Sequence, residues 1–196
     1  MVAPRQKLSA AEYLVWERAQ PTKHEFFHGE VFAMAGASPR HNALCARVIA
    51  VLSERMSTHG CHVLSSDQRT GLDRGERYVY PDVSVVCGSP IVENDDVIVN
   101  PKVIVEVLSR STEQNDRGSK WQSYQQVESL IDYVLVPQWS PRLEHFQRDG
   151  RGGWSYRSAG PGERIVLGDG TELAVDDLFA RIMELPGDAP PPLQPE

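Results

Sequence analysis

Between residues 39 and 56, apolar side chains recur every three or four positions: Leu44, Val48, Val51, Leu52 and Met56. That spacing lines one face of an α-helix. Ser38-Pro39 supplies an N-cap followed by proline at the first helical position, and Gly60 supplies the stop. A shorter helix opens at Ser9-Ala10-Ala11-Glu12, whose spacing is that of a capping box, and Pro21 closes it. Tyr13, Leu14 and Trp16 form its apolar side.

The other apolar stretches are short, rich in β-branched residues and bounded by turn formers, as strands are. Residues 24–28 and 30–34 predict a hairpin around Gly29. Residues 61–65, 68–72, 77–87, 102–108 and 130–136 predict strands, with polar segments at 73–77 and 88–101. A second hairpin is expected from 142–147 and 154–157 across Gly150-Arg151-Gly152-Gly153, and a short strand at 163–167. A helix is expected over 112–127, and a closing helix over 175–185 with Leu178, Phe179, Ile182 and Met183 as its apolar side. The proline-rich stretch 186–196 is expected to be disordered. Strands interleaved with helices predict one α/β (α+β) domain over residues 1–185.

Composition narrows this only slightly. The chain's 196 residues are enough to bury a full core. A net charge of −7 leaves no electrostatic footprint for nucleic acid, which weighs against a simple DNA-binding module. It weighs less against an enzyme whose acids hold a metal. The three cysteines, at 45, 61 and 87, read as reduced thiols in a cytosolic protein. No apolar run is long enough for a membrane span, and the start does not read as a signal peptide, so a soluble cytoplasmic protein without membrane contacts is expected.

The chemistry concentrates between residues 80 and 120. Tyr80-Pro81-Asp82 runs into the apolar string 83–87, and Glu106 sits inside the β-branched run 103–108. A carboxylate inside an apolar strand is costly to bury unless it is paired or binds a cation. Side chains alternate along a strand, so Asp82 and Glu106 can meet on one face if their strands are neighbours in the right register. Two adjacent carboxylates repel, and a divalent cation relieves that repulsion. Oxygen ligands suit Mg²⁺. Lys120, on the following helix, is placed to stabilise developing charge or orient a water. The plain alternative makes Lys120 a partner of Asp116 four residues earlier. Glu25 is a fourth candidate, either a hairpin charge or an additional acid of the metal shell. His41 heads the long helix and could contact phosphate. Gln68 and Arg69 give a faint phosphate-backbone signal. His24 and His28 lie too far apart along a strand to share one metal, and Cys61-His62 lacks the second pair that a structural zinc site uses.

Pro81-Asp82, then Glu106 in an apolar strand, then a lysine resembles the PD-(D/E)XK nuclease superfamily. Within it, several segments resemble the Uma two (Uma2) family of restriction-endonuclease-like proteins. They are His24-Glu25 through Gly29-Glu30, Met34-Ala35-Gly36-Ala37-Ser38, His41-Asn42, Tyr80-Pro81-Asp82, Val105-Glu106-Val107-Leu108-Ser109 with Ser111-Thr112, Asp116-Arg117, Lys120, Tyr124 and Ser129-Leu130. The resemblance spans roughly residues 8–185. It implies a restriction-endonuclease-like central mixed β-sheet flanked by helices, a DNA substrate, an Mg²⁺-dependent site with Mn²⁺ able to substitute, and a homodimer. It carries over Asp82 and Glu106 as metal ligands and Lys120 as the lysine. Two positions depart from the pattern: Leu108 stands where the strict motif has its lysine, and Arg110 where the family usually has proline. The expectation is a metal-dependent DNA endonuclease hydrolysing phosphodiester bonds. The rival readings are a catalytically inactive nuclease-fold protein that binds nucleic acid or a partner protein, and a hydrolase of some other phosphate ester.

Overall fold

Ser38 accepts a hydrogen bond from the His41 amide, Pro39 follows, and an 18-residue helix runs to Met56, as the sequence pattern requires. The computed structural model describes residues 7–190. Its helices are α1 (Ala10–Glu17), α2 (Pro39–Met56), α3 (Glu113–Asn115), α4 (Trp121–Tyr124) and α5 (Val175–Phe179). The strands are β1 (His24–Phe27), β2 (Glu30–Ala33), β3 (Cys61–Ser65), β4 (Arg69–Leu72), β5 (Arg77–Val79), β6 (Val83–Cys87) and β7 (Val92–Glu93). They continue with β8 (Val97–Ile98), β9 (Val103–Leu108), β10 (Asp132–Pro137), β11 (Leu143–Arg148), β12 (Trp154–Ala159), β13 (Arg164–Val166) and β14 (Glu172–Ala174).

The central sheet has the order β12-β11-β10-β9-β6-β3. It is mixed, because β9 and β10 run parallel while its other neighbours are antiparallel. Helix α2 lays Leu44, Val48, Leu52 and Met56 on Val83, Val85, Val103, Val105 and Val107. On the opposite face, Ile104, Leu108, Tyr133 and Leu135 pack with Leu72, Val79 and Tyr124. Every residue of β9 is therefore buried, which explains its unbroken apolar sequence. A second six-stranded sheet, β2-β1-β5-β4-β8-β7, packs Phe26, Tyr78 and Val97 with Tyr13 and Leu14 of α1. The architecture is thus α+β, with a central mixed sheet flanked by helices.

Several expectations need correction. Residues 77–87 do not form one strand. β5 belongs to the second sheet and β6 to the central one, and the chain crosses between them at Tyr80-Pro81-Asp82. Pro81 has no N–H to donate to a ladder, so it suits the crossover. The segment 88–101, expected to be a loop, contains the small strands β7 and β8. The helix expected over 112–127 is short and irregular, with a π-helical turn at Asp116–Lys120 between α3 and α4. The closing helix stops after α5, and a separate 3₁₀ turn, Ile182–Glu184, follows Arg181 at φ 62°. β14 was not foreseen; it pairs with β13.

The cysteine expectation also fails in part. Cys61 and Cys87 lie directly opposite each other on β3 and β6, with Cα atoms 3.9 Å apart, and form a disulfide. Only Cys45 is free. The pairing depends on strand register, which spacing along the chain does not reveal. At the other end, the Asp188 carboxylate accepts hydrogen bonds from the Arg110 amide (3.0 Å) and from Gln138 (3.3 Å), so the start of the proline-rich stretch is anchored. Residues 191–196 of that stretch lie outside the described residues. Among the described residues, no helix is long and apolar enough to cross a membrane.

Candidate functional site

The register of β6 on β9 decides whether the two strand acids meet. Val83 pairs with Val105, so the next position outward sets Asp82 beside Glu106. The contact is direct: the Asp82 amide donates to Glu106 Oε2 (3.3 Å), and the Val107 amide donates to Asp82 Oδ2 (2.8 Å). Asp82 lies just before β6, on the crossover, so it is not confined to one sheet face. Its Oδ2 turns toward α2, 3.3 Å from His41 Nε2. Glu106 points to the opposite side, under α4.

Lys120 comes to the same point from the π-helical turn. Its Nζ lies 2.9 Å from Glu25 Oε1, 3.3 Å from Glu106 Oε1 and 3.3 Å from Asp116 Oδ1. The plain and the functional readings of Lys120 thus both hold: it pairs with Asp116 and also joins the strand acids. Tyr124, one turn on, donates its hydroxyl to Glu106 Oε1 (2.8 Å). Glu25 is held on β1, beside β5 in the second sheet, so the site sits where the two sheets meet. The Tyr80 amide donates weakly to Glu25 Oε1 at 3.4 Å.

The π-helical turn is braced from beneath. Buried Arg77 donates to the Ser119 carbonyl (2.7 Å), Ser123 Oγ (3.2 Å) and Asn115 Oδ1 (3.3 Å). Above it, Arg117 makes a bidentate pair with Glu144 of β11, both contacts at 2.7 Å. The expected lysine position, Leu108, is wholly buried in the apolar core, while Lys120 brings its ammonium to within 3.3 Å of Glu106.

Burial governs the protonation of this group. It pushes the Glu106 carboxyl up to about 8; Lys120 pulls the other way, and the charges of Asp116, Asp82 and Glu25 add to the rise. Asp116 is raised for the same first reason, with Lys120 again opposing. Burial disfavours the Lys120 ammonium, but Glu106, Glu25 and Asp116 outweigh it and hold the pKa well above the ordinary value. Burial likewise opposes a charged His41, and Asp82 reverses that effect and raises it.

The carboxylates of Glu25, Glu106 and Asp116 thus face a single ammonium, while that of Asp82 faces His41. Asp116 Oδ1 is buried, with the Lys120 ammonium 3.3 Å away. Hard oxygens with negative charge in excess are the donor type that a divalent cation such as Mg²⁺ takes, and here the Lys120 ammonium lies among three of them. Glu106 and Lys120 meet as expected and the Asp82 amide reaches Glu106, but the Asp82 carboxylate turns to His41, and the setting is not an open cleft. The Glu106 and Lys120 side chains are 4 % and 6 % exposed, against 15 % and 17 % for Glu25 and Asp82, so solvent reaches the group through the latter two.

The expectation for Arg69 does not fit the structure. Arg69 is buried, donates to the Tyr80 hydroxyl (2.6 Å) and pairs with Asp96 (2.9 Å), so its guanidinium is not presented to a phosphate backbone. Gln68 is engaged with the Arg69 and Asp96 carbonyls. His24 pairs with Glu17 and His28 lies beside Glu76, so the two histidines serve separate contacts. The roles of Tyr124 and Arg77 were missed. A tyrosine in a helix and an arginine at a strand start carry no signal of the residues they will meet across the fold.

Comparison with known proteins bears on this constellation. The family described as Uma2, putative restriction endonuclease, matches residues 10–179. The chain belongs to the Uma2 family. Its relatives include the uncharacterized protein slr1290 of Synechocystis sp., 34% identical over 178 residues, spanning 90% of this chain and 94% of the relative. A second Synechocystis protein, sll1609, is 36% identical over 156 residues, spanning 79% of this chain and 88% of the relative. The fold resembles the crystal structure of a putative nuclease belonging to DUF820 from Anabaena variabilis, with a TM-score of 0.70 at 15% identity, covering 89% of this chain and 99% of that one. This Uma2 chain therefore has a nuclease-like fold.

Proposed function

We propose that this Uma2 protein is a metal-dependent endonuclease that hydrolyses DNA phosphodiester bonds, with Mg²⁺ as cofactor and Mn²⁺ able to replace it. The observation that carries this reading is the meeting of Glu106 and Glu25 with Lys120, with the Asp82 backbone amide on Glu106, drawn from two sheets and a π-helical turn. Glu106 would hold the cation together with Asp82, whose carboxylate would turn from His41 toward Glu106, and Glu25 would complete its acidic surroundings. A bound divalent ion supplies an acidified water and stabilises charge on the phosphoryl group. Lys120 stays an ammonium and offsets negative charge beside Glu106 as it builds up. Tyr124 and the Asp82 amide fix the two oxygens of Glu106. Asp82 and Glu25 form the more exposed side, where a phosphate would enter.

The net charge of −7 favours a second reading, a nuclease-fold protein that binds nucleic acid or a partner protein without turnover. One experiment separates them. Purified protein is screened against supercoiled, linear, single-stranded and branched DNA with Mg²⁺ or Mn²⁺, beside Asp82→Asn. Cleavage by the wild type and none by the variant, at nearly equal melting temperature, supports the endonuclease. An equally active variant, or a wild type inert on every DNA form, overturns it. A homodimer is part of the proposal and is read from the molar mass in solution.

A further inference from the structure

His41 and Cys45 are one turn apart on α2, and both side chains turn toward Asp82. Cys45 Sγ lies 3.5 Å from His41 Nδ1, and His41 Nε2 lies 3.3 Å from Asp82 Oδ2. One ligand atom from each of the three can be chosen so that all lie within 4.8 Å of one another. A tetrahedral zinc ion bonded at about 2.0–2.3 Å draws its ligand atoms to roughly 3.3–3.8 Å from one another. The two short contacts use different nitrogens of His41, and an ion would take one of them, so from the 4.8 Å bound the ligand atoms would close by up to about 1.5 Å. Three protein ligands also leave a fourth position for water.

The donor set differs in kind from the neighbouring acids. Glu25, Glu106 and Asp116 offer only oxygen, which suits Mg²⁺, whereas a sulfur and an imidazole select zinc, cobalt or ferrous iron. Asp82 is common to both groups, because its carboxylate faces α2 while its backbone amide contacts Glu106. We propose that His41, Cys45 and Asp82 form a separate site for a thiophilic divalent cation such as Zn²⁺, and that filling it locks the Asp82 carboxylate against α2, away from Glu106, and inhibits the enzyme. The inhibitory half rests on Asp82 serving the nuclease reaction. The binding half does not.

Co²⁺ is the direct probe, because cobalt bound to a thiolate gives a near-ultraviolet charge-transfer band. Tag-free protein is titrated with Co²⁺ and then with competing Zn²⁺. One equivalent should produce the band, and Zn²⁺ should remove it. Cys45→Ser, with Cys45→Ala as a second variant should serine disturb the fold, should lose the band and bind Zn²⁺ at least about 100-fold more weakly. Cys61→Ser/Cys87→Ser should keep it. Absence of the band in the wild type, or its survival without Cys45, overturns the site. In the cleavage assay, the ratio of rates with and without Zn²⁺ should fall at least about tenfold in the wild type and stay near one in Cys45→Ser. Equal ratios with binding intact overturn the inhibition alone. A protein that cuts no DNA but binds cobalt through Cys45 overturns the nuclease reading and leaves the site standing.

Discussion

Lys120 is the residue on which the buried charges balance. Three carboxylates lie within 3.3 Å of its ammonium, and Glu106 and Asp116 among them are almost wholly buried. Removing one partner of a buried charge group leaves the others uncompensated, at about 3–5 kcal/mol. Lys120→Met should therefore lower the unfolding free energy by about that amount, measured by urea titration. Adding Glu106→Gln should restore part of the loss, because it removes one of the orphaned acids. A double variant as unstable as the single one would show that Glu106 is not a principal partner of Lys120. The types of these residues could be read along the chain. That an ammonium in a helix would close on an acid fourteen positions earlier could be stated only as an expectation, because a lysine on a helix pairs just as readily with the acid four residues before it.

Among the elements, the irregular stretch between α3 and α4 differs most from its sequence pattern. Its position is set by braces on both sides: Arg77 from β5 and the Arg117–Glu144 pair from β11. Burial raises the Glu144 carboxyl, but the Arg117 guanidinium outweighs it and holds the group below its usual value. A depressed pKa in the folded state means that the stabilisation is present above the ordinary carboxylate range and is lost as pH falls through the folded value. Glu144→Gln should thus cost about 1 kcal/mol at neutral pH, discounted for the partial exposure of Arg117. The two proteins should converge as the pH drops below the folded-state titration. A gap in melting temperature that stays constant from pH 7 to pH 3 would contradict this. Helix α2 is the opposite case, since its boundaries and apolar face were legible from capping residues and periodicity. Leu52 is fully buried against the central sheet. Leu52→Ala should cost about 2–5 kcal/mol in unfolding free energy, the range for cavity formation in a core.

At the scale of the molecule, the disulfide ties two strands of the central sheet. Cys61 and Cys87 are separated by 26 residues in sequence. Loop-closure entropy puts the stabilisation from a cross-link of that span at about 3–4 kcal/mol. Reduction, or replacement of both cysteines by serine, should lower the urea midpoint accordingly without changing the fold's circular dichroism. A midpoint unaffected by reductant would show that the pair does not constrain the unfolded chain.

The chain's own pattern was enough to determine the capped helices, the two hairpins, most strands and the segment that carries the acids. All of these rest on interactions between near neighbours: caps, turn residues and the alternation of apolar side chains. The tertiary structure alone decided the rest. It broke the stretch 77–87 at Pro81 between two sheets, paired Cys61 with Cys87, buried Arg69 and set Asp82 both beside Glu106 and against His41. Each of these depends on strand register or on contacts between distant segments. A shift of one residue in register would have parted the Asp82 amide from Glu106 while leaving every local signal unchanged.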